Sequence, residues 1–383
     1  MMKLRHAGLG ILYALVLAAC GQGEKAKEAG NAPTASTTAA STEEKVLNVY
    51  NWSDYIAEDT VKKFEAETGI RVNYDVYDGN EVLETKLLAG NSGYDIVVPS
   101  ASFLERQIKA GVFRPLDKSK LPNLKNMDPE IMQRVALHDP GNQYGVDYMW
   151  GTTGIGYNPD KLAKAFPNAP VDSWSLVFEP ENAAKLKGCG IAVLDSPSEI
   201  TATVLSYLGK DPNSQSPEDL AQVEAKLLKM RPYIRYIHSS QYINDLANGE
   251  ICVAIGYSGD ILQARDRADE AKNNITVKYA VPKEGTIIWF DVMAIPKDAP
   301  HPDNAHAWIN FIMKPEIVGA ISNAVNYANG NKESLPFVND DVKNDPGVYP
   351  PPEVKAKLYP DLAETPEFTR LLNRTWTRFT TGK

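Results

Sequence analysis

The 383-residue sequence has only three cysteines and five histidines, and it has little that a catalytic site requires. It contains no Gly-x-Ser-x-Gly nucleophile elbow, no His-Glu-x-x-His zinc motif and no P-loop. Gly154 and Gly156 lack the third glycine of a dinucleotide-binding turn, and the histidines do not have metal-ligand spacing. We therefore predict that the protein is not an enzyme and holds neither a metal nor a cofactor.

An acidic pair such as Asp260 and Asp291 leaves one enzymatic alternative, a glycosidase. A glycosidase keeps one carboxyl group protonated as its general acid. The acidic residues of this sequence are more numerous than such a pair and look suited to holding several charges at once. Hydrolysis of glycans by the protein would show that it is a glycosidase.

The N-terminal apolar run, 11–19, is too short to cross a bilayer as a helix. Lys3 and Arg5 precede it, and small residues lead from it into Cys20, which resembles the lipobox of bacterial lipoproteins. An ordinary secretory signal that contains a cysteine by chance is the alternative. We expect residues 1–19 to be a lipoprotein signal peptide and Cys20 to carry the lipid.

Residues 21–44 contain no aromatic residue and no Val, Ile or Leu. Such a segment buries too little apolar surface to offset its ordering entropy, so 20–45 is predicted to be the lipidated Cys and a flexible tether with a reach of roughly 25–30 Å. The folded part then begins near Val46. More than three hundred residues remain, which predicts two domains.

The formal net charge is −9, and removing residues 1–19 with Lys3 and Arg5 leaves −11. This balance argues against nucleic acid as a partner and is compatible with a cationic ligand. Once Cys20 is lipidated, Cys189 and Cys252 remain. In an oxidising compartment they predict one disulfide, with two buried free thiols as the alternative.

Strand patterns at 46–51, 71–77 and 95–99 alternate with helical patterns, and the second half repeats this style from 190–194 and 251–256. Such alternation predicts an α/β fold in which each lobe is a mostly parallel sheet flanked by helices. The Gly-rich segment 149–158 reads as a crossover between lobes. We predict a first lobe of 46–148 plus 271–320 and a second lobe of 149–270 plus 321–383.

Aromatic and acidic residues recur where the predicted strands end, and ligands bind at the carboxyl ends of strands in open α/β sheets. Asp291 lies inside the apolar strand 287–295 with no Lys or Arg near it in sequence, and a buried carboxylate is costly unless paired. An Arg from elsewhere in the chain is the structural alternative. Aromatic faces and carboxylates together favour an apolar rod with amines, a polyamine. The strand-end residues are Trp52, Ser53, Asp54, Tyr55, Ser100, Ser102, Ser198, Glu199, Tyr257 and Asp260, joined by Trp289, Phe290 and Asp291.

Several of these residues also have structural explanations. Asp54 and Asp260 could each cap the helix that follows. Glu199 in a first helical turn is favoured by the helix dipole without any ligand. A receptor for an amino acid, an iron complex or a sugar is the other binding class, although a carboxylate ligand would call for Arg at these strand ends.

Over residues 46–383 the chain resembles the polyamine-binding proteins of bacterial ABC importers for putrescine and spermidine. The resemblance implies a two-lobed periplasmic-binding-protein fold, type II-like, with a hinge of crossover strands that closes over the ligand. It also implies a periplasmic protein that delivers its ligand to ABC permease subunits. We expect a monomer whose only membrane contact is the lipid on Cys20. The stretches that carry it are YNWSDYI at 50–56, YDIVVPSASFLERQ at 94–107, MWGTTGIGYNPDK at 149–161, HSSQYINDLANGEICVAIGYSGD at 238–260 and FDVMAIPKDA at 290–299.

The resemblance also implies a ligand-binding set. Tyr257 stands where Trp is common in the putrescine type, and Trp289 stands where some members have Phe. The family's ligand-contacting positions correspond to Trp52, Ser53, Asp54, Tyr55, Ser100, Ser102, Glu199, Ser239, Tyr257, Asp260, Trp289, Asp291 and Tyr327.

The choice between polyamines depends on how the pocket ends. Asp54 and Ser102 match the putrescine type, and they could hold a water that a longer chain would displace without replacing its hydrogen bonds. The larger ring of Trp289 favours spermidine instead. We predict putrescine first and spermidine second, with another small cationic solute, or a polyamine-sensing lipoprotein, as the alternative function.

Overall fold

The computed structural model describes residues 43–382, so the predicted signal peptide, Cys20 and nearly all of the tether lie outside the described residues. The strands are β1 Val46–Trp52, β2 Arg71–Tyr77, β3 Ile96–Val97, β4 Gly145–Tyr157, β5 Ile191–Val193, β6 Tyr236–Ile237, β7 Val253–Tyr257, β8 Lys278–Ala280, β9 Thr286–Ala294 and β10 Leu358–Pro360. The helices are α1 Thr60–Thr68, α2 Asn80–Ala89, α3 Ala101–Lys109, α4 Pro129–Val135, α5 Pro159–Ala165, α6 Ser175–Phe178, α7 Pro180–Leu186, α8 Pro197–Tyr207, α9 Pro217–Met230, α10 Gln241–Ala247, α11 Ser258–Ala271, α12 Pro302–Ile312, α13 Pro315–Val325, α14 Asp340–Lys343, α15 Pro352–Lys355 and α16 Pro366–Thr381. Short 3-10 helices cover Lys118–Lys120, Pro122–Asn126, Arg231–Tyr233 and Lys332–Phe337.

The strands form one path in the order β2-β1-β3-β9-β4-β7-β5-β6, with β10 beside β9 and β8 beside β4. At one end β1 pairs in parallel with β2 and β3, and at the other end β5 pairs in parallel with β6 and β7. The central strands β9 and β4 run antiparallel to their neighbours on this path. The predicted α/β fold with flanking helices is confirmed. The sheet is mixed, because strand pairs at its two ends are parallel and those between them are antiparallel.

Strand β4 connects the two parallel regions. Its residues up to Thr152 pair with β9, and its residues from Thr153 onwards pair with β7. Most of the predicted crossover 149–158 therefore lies on the strand that connects the two parallel regions. Two of its glycines are needed because a Cβ would clash with neighbouring side chains. A Cβ on Gly154 would lie 2.5 Å from the ring of Tyr279, and a Cβ on Gly156 would lie 2.7 Å from the side chain of Ile261.

Separate cores support the two lobes. The first-lobe core includes Ile96 and the second-lobe core includes Ile255. Towards the C-terminus, Val325 packs with the first core, whereas Trp376 and Phe379 of α16 pack with the second. The predicted lobe boundaries stay a prediction. Because Tyr359 of β10 still packs against the first core, the packing favours a final transfer to the second lobe after β10 instead of after residue 320.

The predicted disulfide between Cys189 and Cys252 is present, with a Cα–Cα distance of 5.5 Å. Cys189 lies just before β5 and Cys252 directly before β7, whose first residues are partners in a parallel pair. The crosslink thus joins two strand starts of the second lobe. Among residues 43–382, no helix has both the length and the apolar composition that crossing a membrane requires.

Candidate functional site

Most of the predicted site residues line one cavity, which has about 450 Å³ of atom-free space including its mouth. The lining comes from the carboxyl ends of β1, β2 and β7, the N-terminal ends of α3, α8 and α11, and the middle of β9. This is the location that the strand-end rule predicts. The lining residues are Trp52, Ser53, Tyr55, Tyr77, Asp78, Ser100, Glu199, Ser239, Ser240, Tyr257, Asp260, Trp289, Asp291 and Tyr327.

Asp291 lies in the middle of β9 and is only 4% exposed. Its carboxylate accepts hydrogen bonds from Ser100 Oγ at 2.6 Å and from Tyr55 OH at 3.0 Å. Burial raises the pKa of Asp291 to about 7, with the hydrogen bonds opposing and nearby Asp260 adding to the rise. Among the described residues its hydrogen-bond partners are neutral, so the structural alternative of an Arg partner is not observed.

Asp260 lies in the first turn of α11, but it does not cap that helix. Its carboxylate oxygens accept hydrogen bonds from Tyr242 OH and Tyr327 OH, both at 2.7 Å. Burial raises the pKa of Asp260 to about 7, although both hydroxyl groups lower it. Two tyrosines thus fix the carboxylate at the cavity wall without neutralising it.

Glu199 lies in the first turn of α8 and also contacts hydroxyl groups. It accepts hydrogen bonds from Thr153 Oγ1 at 2.9 Å and from Tyr257 OH at 3.1 Å. Burial, followed by the charge of Asp361, raises the pKa of Glu199 to about 8. Three buried carboxyl groups of the cavity therefore rely on hydroxyl donors alone.

The aromatic lining is held by contacts between rings. Trp289 meets Tyr257 and Tyr327 edge to face, with ring centroids 5.6 and 5.3 Å apart. Trp52 packs against Tyr77 with ring centroids 4.8 Å apart, and its indole N–H donates to the backbone oxygen of Val98, just after β3, at 2.8 Å. Fixed ring faces of this kind suit an apolar chain or an organic cation.

Two predicted ligand contacts lie outside this lining. The carboxylate of Asp54 is 2.6 Å from the guanidinium of Arg267, and Ser102 Oγ donates to Asp361 at 2.6 Å. Each side chain therefore already has a protein partner. Their role as ligand contacts stays a prediction, and the geometry of the cavity does not support it.

Sequence reasoning missed Tyr77, Asp78 and Ser240 in the lining. Tyr77 is the last residue of β2, a strand that the sequence predicts correctly, so the strand-end rule applied to β2 would have found it. Ser240 immediately follows the predicted Ser239. Its position shows that the turn before α10 contributes two residues to the wall.

Residues 59–350 match the family described as bacterial extracellular solute-binding protein. The putrescine-binding periplasmic protein SpuD of Pseudomonas aeruginosa is 58% identical over 348 residues, which are 90% of this chain and 94% of that protein. The putrescine-binding periplasmic protein PotF of Escherichia coli is 56% identical over 357 residues, 93% of this chain and 96% of that protein. The crystal structure of the spermidine/putrescine ABC transporter substrate-binding protein PotD of Streptococcus pneumoniae is similar with a TM-score of 0.69 and 30% identity, over 88% of this chain and 99% of that chain. The chain belongs to the bacterial extracellular solute-binding proteins.

Proposed function

We propose that the protein captures a polyamine, putrescine before spermidine, between its two lobes and delivers it to an ABC permease. The observation that carries this proposal is the set of three buried carboxyl groups, Glu199, Asp260 and Asp291, around one aromatic cavity. Among residues 43–382, no Lys or Arg belongs to its lining. Buried carboxylates are costly without a cation. A ligand with two ammonium groups supplies the missing positive charge.

The same lining disfavours other solutes. In the described lining an anionic ligand would meet four acidic groups, the three buried ones and the exposed Asp78, and no basic one. Like charges that are desolvated together repel strongly. A monoamine would leave carboxyl groups without a partner. The ring faces of Trp289 and Tyr257 suit the methylene chain between two ammonium groups.

The preference for putrescine does not rest on how the pocket ends. The water-mediated stop at Asp54 and Ser102 has no support in the geometry, because neither residue lines the cavity. The putrescine-binding proteins SpuD and PotF, at 58% and 56% identity, support putrescine instead. Trp289 keeps spermidine as the second choice.

Calorimetric titration of refolded, ligand-free protein tests the ligand class and the ranking. Putrescine should bind about tenfold or more tightly than spermidine, and 1-aminobutane, which has the same carbon chain and one ammonium group, should bind far more weakly. Spermidine binding tighter by about tenfold would reverse the ranking within the class. Binding of a neutral or anionic solute in place of every amine would refute the class.

We also propose that the protein is a periplasmic monomer, that Cys20 carries its lipid anchor and that this anchor is its only membrane contact. The small residues before Cys20 and the polar composition of 21–44 support this arrangement. Replacing Cys20 by Ser should leave a soluble or uncleaved product in cell fractionation. A Cys20→Ser protein that still incorporates labelled fatty acid would contradict the assignment.

A further inference from the structure

Ser102 and Arg106 lie one turn apart on α3, the helix whose preceding residue Ser100 holds Asp291. Ser102 Oγ donates to Asp361 at 2.6 Å, and Arg106 Nη1 lies 3.1 Å from Glu364 Oε2. Both acceptors belong to the segment 361–364 between β10 and α16. Two adjacent polar contacts therefore join α3 to this segment.

The segment 361–364 is attached to the second lobe. Asn213 Nδ2 donates to the Pro360 backbone oxygen at 3.1 Å, and the Leu362 N–H donates to Asn213 Oδ1 at 3.0 Å. Gln215 forms a second pair of hydrogen bonds with the backbone just beyond. The pairing of β10 with β9 ends at Pro360, and the helix that follows the segment, α16, packs into the second-lobe core. From Asp361 onwards the segment therefore moves with the second lobe.

Arg106, in contrast, is fixed within the first lobe. Glu84 of α2 accepts from its Nε at 2.6 Å and from its Nη2 at 2.7 Å, and the guanidinium lies 3.7 Å from the ring centre of Phe103. The side chains of Arg106 and Glu364 are only 19% and 12% exposed. A partly buried pair whose cation is already oriented is stronger than a mobile surface pair.

We propose that Ser102 and Arg106 are closure residues, which hold the segment 361–364 against the first lobe and so slow the release of the ligand. Neither residue lines the ligand cavity, so they act by positioning the lobes and not by touching the ligand. Because each contact has one member in each lobe, a separation of the lobes that frees the ligand breaks both. The inference rests on the proposed function for its ligand.

Stopped-flow tryptophan fluorescence with putrescine tests this proposal, since Trp52 and Trp289 line the cavity. Ser102→Ala combined with Glu364→Gln should raise the dissociation rate about tenfold and leave the association rate within about twofold of wild type. The matched control is Glu84→Gln, which removes a charged partner of the same Arg106 guanidinium. Glu84 lies in the same lobe as Arg106, and its side chain is 18% exposed, similar to that of Glu364. Because Glu84→Gln keeps a side-chain oxygen that can accept a hydrogen bond from Arg106 and hold the guanidinium in place, this control should leave the dissociation rate within about twofold of wild type.

An unchanged dissociation rate in the double variant, or an equal rise in Glu84→Gln, would overturn the proposal. Melting temperatures of all variants show whether each one folds, and the single variants replace the double variant if it does not. If wild-type protein binds no polyamine, the proposed function fails, and small-angle scattering of the ligand-free proteins decides the closure inference. The double variant should then have a larger radius of gyration than wild type, whereas Glu84→Gln should not.

Discussion

The carboxyl groups of the ligand cavity differ from those around Arg106 in what neutralises them. Asp291 and the other cavity carboxyl groups accept hydrogen bonds from Ser, Thr and Tyr hydroxyls. Glu84 and Glu364 instead surround the guanidinium of Arg106. Around Arg106 the protein supplies its own cation, whereas at the cavity, in our proposal, the ligand brings it.

The pKa alone would not separate these groups. Burial raises the pKa of Glu364 to about 7, and Asp361 adds to this effect while Arg106 opposes it. Burial also raises the pKa of Asp291 to about 7. A perturbed carboxyl group thus becomes a candidate ligand contact only when the identity of its partners is known.

The largest effect is expected from Asp291→Asn. Removing one partner of a desolvated charge pair costs about 3–5 kcal/mol, so the affinity for putrescine should fall by about two orders of magnitude or more. The variant should still fold, because Asn keeps the size of the side chain and can still contact Ser100 and Tyr55. Calorimetric titration measures the affinity and a thermal melt measures the folding.

The matched control is Asp147→Asn. Asp147 is a buried carboxyl group on the neighbouring strand β4 that does not line the cavity. Its substitution should leave the affinity close to that of wild type. A loss below about fivefold in Asp291→Asn, about 1 kcal/mol, would remove Asp291 from the site.

The second prediction concerns pH. Burial raises the pKa of Glu199 to about 8 and that of Asp260 to about 7. At pH 7 we therefore expect Glu199 to be mostly protonated and Asp260 to be protonated in part in the ligand-free protein. A dication favours the ionised forms, so binding at pH 7 should release roughly one to two protons. Affinity should accordingly fall about tenfold or more between pH 8 and pH 6.

Titrations in two buffers of different ionisation enthalpy count the protons released. Because the pKa of Glu364 is also raised to about 7, the experiment is repeated with Glu364→Gln, which should release nearly the same number. Glu199→Gln should release fewer. Equal heats in both buffers for wild-type protein would contradict the proton coupling.

How much of this site the sequence predicts depends on the distance between partners along the chain. Asp291 could be predicted because its apolar strand and its lack of nearby basic residues are local features. The partners of Asp54 and Ser102 could not, since Arg267 and Asp361 lie 213 and 259 residues away. The resemblance therefore placed both residues in the ligand set, whereas the fold gives them contacts between lobes.

The fold was predicted for a similar reason. The alternation of strands and helices follows from local sequence patterns, and the glycines of 149–158 indicate the shared strand β4. The assignment of the C-terminal segments to lobes depends on packing between distant elements. Val325 and Trp376 join different cores, although one predicted range, 321–383, contains both.

The third prediction concerns stability and uses a buried carboxyl group outside both groups. Burial raises the pKa of Asp147 well above its usual range, and the nearby charge of Asp291 adds to this effect. Neither oxygen has a hydrogen bond of ordinary geometry among the described residues, although the Gly330 backbone lies close enough to lower the pKa somewhat. The pKa of Asp147 is higher in the folded protein than in the unfolded chain. Protonated Asp147 therefore adds to the free energy of unfolding at low pH, and this contribution is lost as the pH rises.

Asp147→Asn removes that dependence. Relative to wild type, the free energy of unfolding of the variant should increase by about 1–3 kcal/mol between pH 4 and pH 7. Urea titrations at both pH values measure the difference. Parallel pH profiles for the two proteins would show that Asp147 is ionised or well paired in the folded state.

The smallest effect is expected from Tyr257→Phe, which keeps the ring and removes one hydroxyl donor to Glu199. Losing this hydrogen bond should weaken putrescine binding by roughly 1 kcal/mol, about fivefold. The hydroxyl group lowers the pKa of Glu199, so its removal should also shift the proton release to higher pH.

The matched control is Tyr207→Phe, which removes a Tyr–Glu hydrogen bond to Glu179 outside the cavity. This control should leave the affinity and the pH of proton release unchanged. A loss as large as that of Asp291→Asn would mean that the hydroxyl groups, and not the carboxylates they hold, provide the main contacts to the ligand.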